Sequence, residues 1–454
     1  MAIAANTTAL TPRDIANGDT AWVLMSTALV LLMTPGLSFF YGGLVKERNL
    51  LNTMMMSIVS MGAVSVLWAA YGFTLAFGDG GPLIGTFKYQ WLNELDMAPF
   101  AETVHECQLA TELCEAISRD VPGLLFATFQ MTFAIIAAAI MSGSLVERVR
   151  FGAYVVFIVL WCLVVYVPLC HWVWGPGGWL GKMGALDFAG GTVVHISSGV
   201  SGLVAALVLG PRSPVQVKME KPHNVPFVLL GASLLWFGWT GFNSGSALAA
   251  DVTAVQALAC TYLAAASSMM TWVSIEWCIY ARPTSVGAML GAVAGLVVIT
   301  PAAGFVTPRG ALAMGCIGAP ICFCACGTVN RILNVDDSLD AFGLHGVGGF
   351  VGATITGMFA VDGGLFYGGG FTLLGKQVVG ALAGAAYSAV CTYVIFIVLS
   401  LAMRVRVTED HEREGIDEKF HGEAAYARTP TSGVPTVTDP MNEVDTSAED
   451  DDDD

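Results

Sequence analysis

Eleven times along this chain an apolar run of about 20 residues recurs, the length an α-helix needs to cross a hydrocarbon core about 30 Å thick. The runs fall at 21–43, 51–77, 121–145, 151–174, 190–209, 225–248, 255–280, 286–305, 311–329, 342–361 and 377–403. Such long, continuously apolar runs exclude a barrel, because only helices and closed barrels satisfy their backbone polar groups in lipid and barrel strands alternate. Composition agrees: 55% of the residues are apolar and 12% charged, against about 25% charged in soluble domains. The expectation is an all-α polytopic membrane protein with one eleven-helix domain over 21–403. It is flanked by an extracytoplasmic segment 1–20, a tail 404–428 and an acidic, disordered end 429–454. The first 20 residues are mixed and polar, and the run from Ala21 exceeds a signal-peptide core, which predicts a retained first span.

The net charge of −16 is localised. From Arg404 onward 16 acidic and 5 basic residues give −11, residues 78–120 give −6, and the remainder sums to +1. No basic footprint for nucleic acid is present. Loops after the odd-numbered spans carry Lys46, Arg48, Arg148, Arg150, Arg212, Lys218, Lys221, Arg282 and Arg331, and Arg404 and Arg406 follow the last span. The other side holds only Arg13, Lys88, Arg119, Lys182, Arg309 and Lys376. The positive-inside rule then predicts an outer N-terminus and a cytoplasmic tail. Of the 11 cysteines, most sit in apolar runs as small hydrophobes. Cys107 and Cys114 fall in the polar, outward segment, where a disulfide and two reduced thiols are both compatible with the sequence. The sequon at Asn6 also faces outward.

An internal repeat carries the first functional signal. His195-Ile-Ser-Ser-Gly-Val-Ser-Gly in span 5 and His345-Gly-Val-Gly-Gly-Phe-Val-Gly in span 10 both read H-x-x-x-G-x-x-G. Five spans separate them, so spans 1–5 (21–210) and 6–10 (225–362) form an inverted repeat, as in many transport folds. Each histidine shares a helix face with two glycines that permit close approach. Two intramembrane histidines at repeat-related positions are a site for a polar solute or a proton. The alternative is a pair of structural histidines bonded within the core.

Aromatic residues accompany the repeat. Phe129 and Phe133 share a face of span 3, Trp174 ends span 4, and Trp239, Phe242 and Ser246 lie on span 6. With spans 4 and 6 running outward, these residues can converge on an outer vestibule, where ring faces attract a cation and a hydroxyl accepts its hydrogen bond. An interfacial aromatic belt is the alternative.

The strings GALDFAGGTVVHIS (184–197), GFNSGSA (241–247), DAFGLHGVGG (340–349), FYGGLV (40–45) and VERVRF (146–151) resemble the ammonium transporter (Amt/Mep/Rh) family. The resemblance runs over about 21–426, and GIDEKFHGEAAY (415–426) is similar to the C-terminal motif of the Amt branch, especially the plant type. It implies a plasma-membrane homotrimer in which every subunit has its own hydrophobic pore for ammonium or methylammonium, with no cofactor. By motif position Phe133, Trp174 and Ser246 are the outer recruitment site and Phe129 and Phe242 the stacked gate. His195 and His345 are the twin histidines, and Asp187 is the supporting acid. Gly415, Asp417 and Tyr426 belong to a regulatory tail expected to dock on a neighbouring subunit and to meet a PII-type signal protein or a kinase. Where the plant-type motif has a phosphorylatable threonine this chain has Lys419, which leaves Thr429 and Thr431 as substitutes. Two other readings stay open: an ammonium sensor, and an Rh-like channel for neutral ammonia or carbon dioxide.

The remaining signals are weaker. Asp187 also fits an N-cap for span 5, as Asp336, Asp337 and Asp340 do for span 10. Glu276 near the end of span 7 reads as a snorkelling or structurally paired acid. Cys322 and Cys326 share a helix face that Cys324 leaves, so a metal cluster is not expected. No phosphate loop, zinc-protease motif or nucleophile elbow is present, and no enzyme is implied.

Overall fold

The structure is a computed structural model that describes residues 15–95, 99–100, 119–213 and 221–426. Cys107, Cys114, Asn6, Thr429 and Thr431 lie outside the described residues. Among those described, ten helices are long and apolar enough to cross a membrane. They are α1 (Asn17–Leu44), α2 (Glu47–Phe77), α3 (Gly123–Ser144), α4 (Phe151–Met183), α5 (Gly191–Leu209), α6 (Val225–Ala247), α7 (Val252–Tyr280), α9 (Pro308–Leu333), α10 (Phe342–Phe359) and α11 (Thr372–Ala402). The eighth apolar run gives the shorter α8 (Ser285–Ile299). Expectation and structure part here: the run continues to Phe305, but Pro301 disfavours helix at Thr300, and the Pro301 carbonyl instead accepts the Phe188 N–H at 3.1 Å. Between α2 and α3 a short antiparallel ribbon pairs Pro99–Phe100 with Arg119–Pro122.

Five of the described helices contain a π-helical turn, Trp68–Gly72 in α2, Cys162–Tyr166 in α4, Gly191–Ile196 in α5, Thr240–Ser244 in α6 and Phe342–Val347 in α10. π-turns occur disproportionately at functional sites, and the last three of these carry His195, Phe242 and His345. Bulky aromatic residues fill the interior of the bundle, with Trp68, Trp161, Trp239, Tyr41, Tyr154 and Tyr166 buried.

A charged lattice closes the end of the bundle where α4 begins. Arg148, fully buried, donates to the Gly210 and Ser144 carbonyls, both at 2.9 Å. Arg212 holds Asp336 through Nε and Nη2 at 2.8 and 2.9 Å and Glu147 through Nη1 at 2.7 Å. Glu147 sits in the left-handed region at φ 67° and also accepts from Asn49 Nδ2 at 2.9 Å. Asp337 caps α10 by accepting the Phe342 N–H at 2.7 Å, and its other oxygen accepts from Ser144 Oγ at 2.6 Å.

The tail lies across this lattice. Residues Val149 and Arg406 form an antiparallel bridge, and two short helices follow, α12 (Glu409–Glu414) and α13 (Asp417–His421). Asp417 accepts the N–H groups of Leu51 and Asn52 at 2.9 and 2.8 Å, capping the apolar part of α2. Gly415, at φ 114°, packs on the Arg48 side chain, and the Tyr426 hydroxyl accepts from Asn224 Nδ2 at 3.1 Å. Glu276 has a structural partner: it accepts the Thr284 N–H at 2.7 Å.

Candidate conduction path

His195 and His345 meet at the centre of the bundle. Their Nδ1 atoms are 3.2 Å apart and their rings overlap at 29° with centroids 5.2 Å apart. The repeated glycines create this meeting. A Cβ on Gly199 would fall 2.1 Å from the Gly346 nitrogen, and one on Gly349 would fall 2.9 Å from His195 Cβ. Each H-x-x-x-G glycine therefore receives the backbone of the other repeat beside its histidine. The third position behaves alike, with Gly202 against Ser144 on α3 and Gly352 against Val298 on α8.

From His195 the aromatic residues continue in one series. Phe242 and Trp239 lie nearly parallel to the His195 ring at 5.9 and 5.6 Å. Phe133 overlaps Phe242 at 4.4 Å and 34°, and Trp174 meets Phe133 edge-on at 6.3 Å. Phe129 contacts Phe133 edge-on at 4.9 Å. The phenylalanine that meets Phe242 in this arrangement is thus Phe133, tilted against it, and Phe129 backs Phe133 from one turn away. The Phe129 ring lies instead beside Gly245, where a Cβ would come within 3.2 Å of its Cζ. Phe129, Phe133, Phe242 and His195 are buried, while Trp174 and Ser246 are half-buried at the mouth. Ser246 Oγ donates to the Phe242 carbonyl at 2.7 Å, which leaves its lone pairs as acceptors.

Asp187 stands behind this mouth. Its carboxylate accepts the N–H groups of Gly190, Gly191, Thr192 and Val193 at 2.9, 2.6, 2.8 and 3.2 Å. Its own carbonyl accepts from Trp174 Nε1 at 2.8 Å. Burial pushes the carboxyl upward and the four amides pull it back. Gly190, at φ 116°, makes the cap feasible, since a Cβ there would meet Val194 and Trp174. The residue that caps the start of α5 is thus also the one whose carbonyl holds the Trp174 indole.

Between Phe242 and the histidines lies a cavity lined by Met33, Ile136, Ile140, Leu235, Trp239 and the rings themselves, with about 10 Å³ for the centre of a water-sized molecule. That is about the minimum for one water. His195 Nε2 is buried without a hydrogen-bond partner. With both imidazoles neutral, the 3.2 Å contact takes one N–H and one lone pair. The two Nε2 atoms then offer one donor and one acceptor to a small polar guest.

The profile of the Ammonium Transporter Family matches residues 21–426. The chain belongs to that family. An ammonium transporter from Bacillus subtilis is 46% identical over 416 residues, covering 90% of this chain and 98% of the relative. The crystal structure of Candida albicans Mep2 matches with a TM-score of 0.79 at 34% identity, covering 88% of both chains. A structure titled Sensor Amt Protein also matches, with a TM-score of 0.79 at 29% identity over 89% of this chain and 98% of that one. This family member is accordingly a multi-pass membrane protein, and its relatives are named as transporters rather than enzymes. Sequence reasoning missed the pairing of Arg148 and Arg212 with Glu147 and Asp336; the VERVRF string was its one visible trace.

Proposed function

We propose that this protein takes up ammonium by recruiting NH4+ at Phe133, Trp174 and Ser246, removing its proton at the Phe133–Phe242 ring pair backed by Phe129, and passing NH3 along His195 and His345. The observation that supports this reading is the unbroken series Trp174, Phe133, Phe242, His195, His345, with centroid separations of 6.3, 4.4, 5.9 and 5.2 Å. Ring faces and a serine oxygen bind any small cation of suitable size. The cavity beyond is apolar, where an ion loses far more solvation than a neutral molecule. Ammonium leaves its proton behind and crosses as ammonia; potassium has no proton to lose. The imidazole pair supplies one donor and one acceptor to ammonia and a route for the released proton.

The reading places eleven spans in the plasma membrane, with an outer N-terminus, a cytoplasmic tail and three such chains per assembly. The tail then meets a cytoplasmic regulator, a PII-type signal protein or a kinase. Currents in proteoliposomes on ammonium addition test the transport mechanism. Wild type should carry current with ammonium and little with potassium, and His195→Ala and His345→Ala should abolish that selectivity. Equal ammonium and potassium currents in wild type refute the mechanism, and an ammonia-driven pH change without current favours the neutral gas channel. The likeness to a protein titled a sensor supports a second reading, in which the same site reports ammonium; a signalling output that survives loss of transport distinguishes it.

A further inference from the structure

Gln377, buried in the second turn of α11, directs its whole amide at the backbone behind the outer mouth. Its Oε1 accepts the Leu186 N–H at 2.6 Å. Its Nε2 donates to the Leu186 carbonyl at 2.8 Å and to the Ala353 carbonyl on α10 at 2.9 Å. Both amide hydrogens are in use, and only this orientation of the amide serves one N–H and two carbonyls. The Leu186 backbone thus pairs with a side chain as it would with a neighbouring strand. Gly357 lets the glutamine come this close to α10, since a Cβ there would lie 3.2 Å from Gln377 Cγ.

The next residue is Asp187, whose carbonyl accepts the Trp174 indole at 2.8 Å. That carbonyl shares its peptide group with the Phe188 N–H, which donates to the Pro301 carbonyl at 3.1 Å. The Phe188 ring covers Gly304, where a Cβ would strike it. Peptide groups are planar. Only the two rotatable bonds of Asp187 therefore separate the peptide that Gln377 holds from the peptide that holds the indole. We infer that Gln377 is a positioning residue for ammonium recruitment: it fixes the peptide before Asp187 and, through it, the carbonyl that sets the place of Trp174. This role rests on the proposed recruitment of ammonium at Trp174.

The test uses full-length protein in proteoliposomes, with KM and Vmax for methylammonium uptake and hydrogen exchange over residues 184–193 read on the same preparations. Wild type, Gln377→Met, Trp174→Leu and the double variant are compared. Gln377→Met keeps the bulk and removes all three bonds. It should speed exchange and raise the KM about five-fold, the scale of one net hydrogen bond, with Vmax retained. Gln377→Glu keeps the acceptor for the Leu186 N–H but lacks both donors, and it should act in the same direction if Gln377→Met fails to assemble. Trp174→Leu should raise the KM by itself, and adding Gln377→Met to it should raise the KM no further. A residue that only stabilises the fold would act alike with and without the indole. Additive effects, or a wild-type KM in both Gln377 variants while Trp174→Leu raises it, overturn the positioning role. Unchanged exchange overturns the clamp on Leu186. A wild-type KM in Trp174→Leu refutes recruitment at the tryptophan, and the positioning role falls with it.

Discussion

Asp187 concentrates four backbone N–H groups on two oxygens, and the same residue's carbonyl holds the Trp174 indole. Asp187→Asn keeps one acceptor oxygen but turns an amide NH2 toward two of the donors. Leaving buried donors unsatisfied costs about 1–3 kcal/mol, so the melting temperature should fall. The loosened cap should also shift the residue-187 carbonyl that holds the Trp174 indole and so raise the KM for methylammonium uptake. A melting curve and an uptake series on one preparation check both, and an unchanged KM would separate the cap from the recruitment site. The histidine pair was legible because an ionisable residue inside an apolar run is conspicuous, and twice at one spacing more so. Which rings stack was not legible. Phe129 and Phe133 have the same spacing signal, and only their neighbours on another helix, Gly245 for Phe129 and Phe242 for Phe133, tell the two apart.

The helices follow the apolar runs because run length is what crossing demands, and the one shortfall, α8, traces to Pro301. The π-turns left no mark in hydropathy, since adding a residue to a turn changes direction and not composition. Their meeting point depends on glycine: Gly199→Ala should force the two π-turns apart, because the added carbon faces a backbone nitrogen at 2.1 Å that cannot rotate away. Overpacking of this kind costs about 1–3 kcal/mol. Transport should be lost, whereas Gly62→Ala on α2, with nothing within 4 Å, should retain both fold and uptake. The charged lattice was invisible for another reason. Arg148 and Arg212 counted in the sequence only as loop charges, and their partners lie as far as 188 residues away. Burial raises the Asp336 carboxyl, but the Arg212 and Arg148 guanidiniums bring it down to about 2 from 3.8. A depressed acid stabilises fully above its unfolded value and loses that contribution as pH falls toward its folded one. The lattice should therefore contribute about 2 kcal/mol above pH 4 and lose it by pH 2. Melting temperatures across that window should fall more steeply for wild type than for Asp336→Asn, and parallel curves would exclude the lattice as the acid-sensitive element.

The described molecule is a bundle whose halves interlock at the histidines and whose tail returns to the beginning of the chain. The Asp417 clasp joins α13 to the first turn of the apolar part of α2. Asp417→Ala should release it at about 1 kcal/mol, a typical cap. Hydrogen exchange at the Leu51 and Asn52 amides and at 409–426 should rise together, and exchange confined to one of the two would show the clasp to be dispensable. Deleting 404–454 should lower or deregulate ammonium uptake in oocytes; an unchanged rate would leave the tail without a role in transport.

The clasp also bears on synthesis. The amides of Leu51 and Asn52 leave the ribosome more than 360 residues before the carboxylate that satisfies them. Throughout insertion the start of α2 must rely on water or a passing partner. Only a chain extended past Asp417 is able to close it, so the clasp forms late in synthesis, after every span has been made.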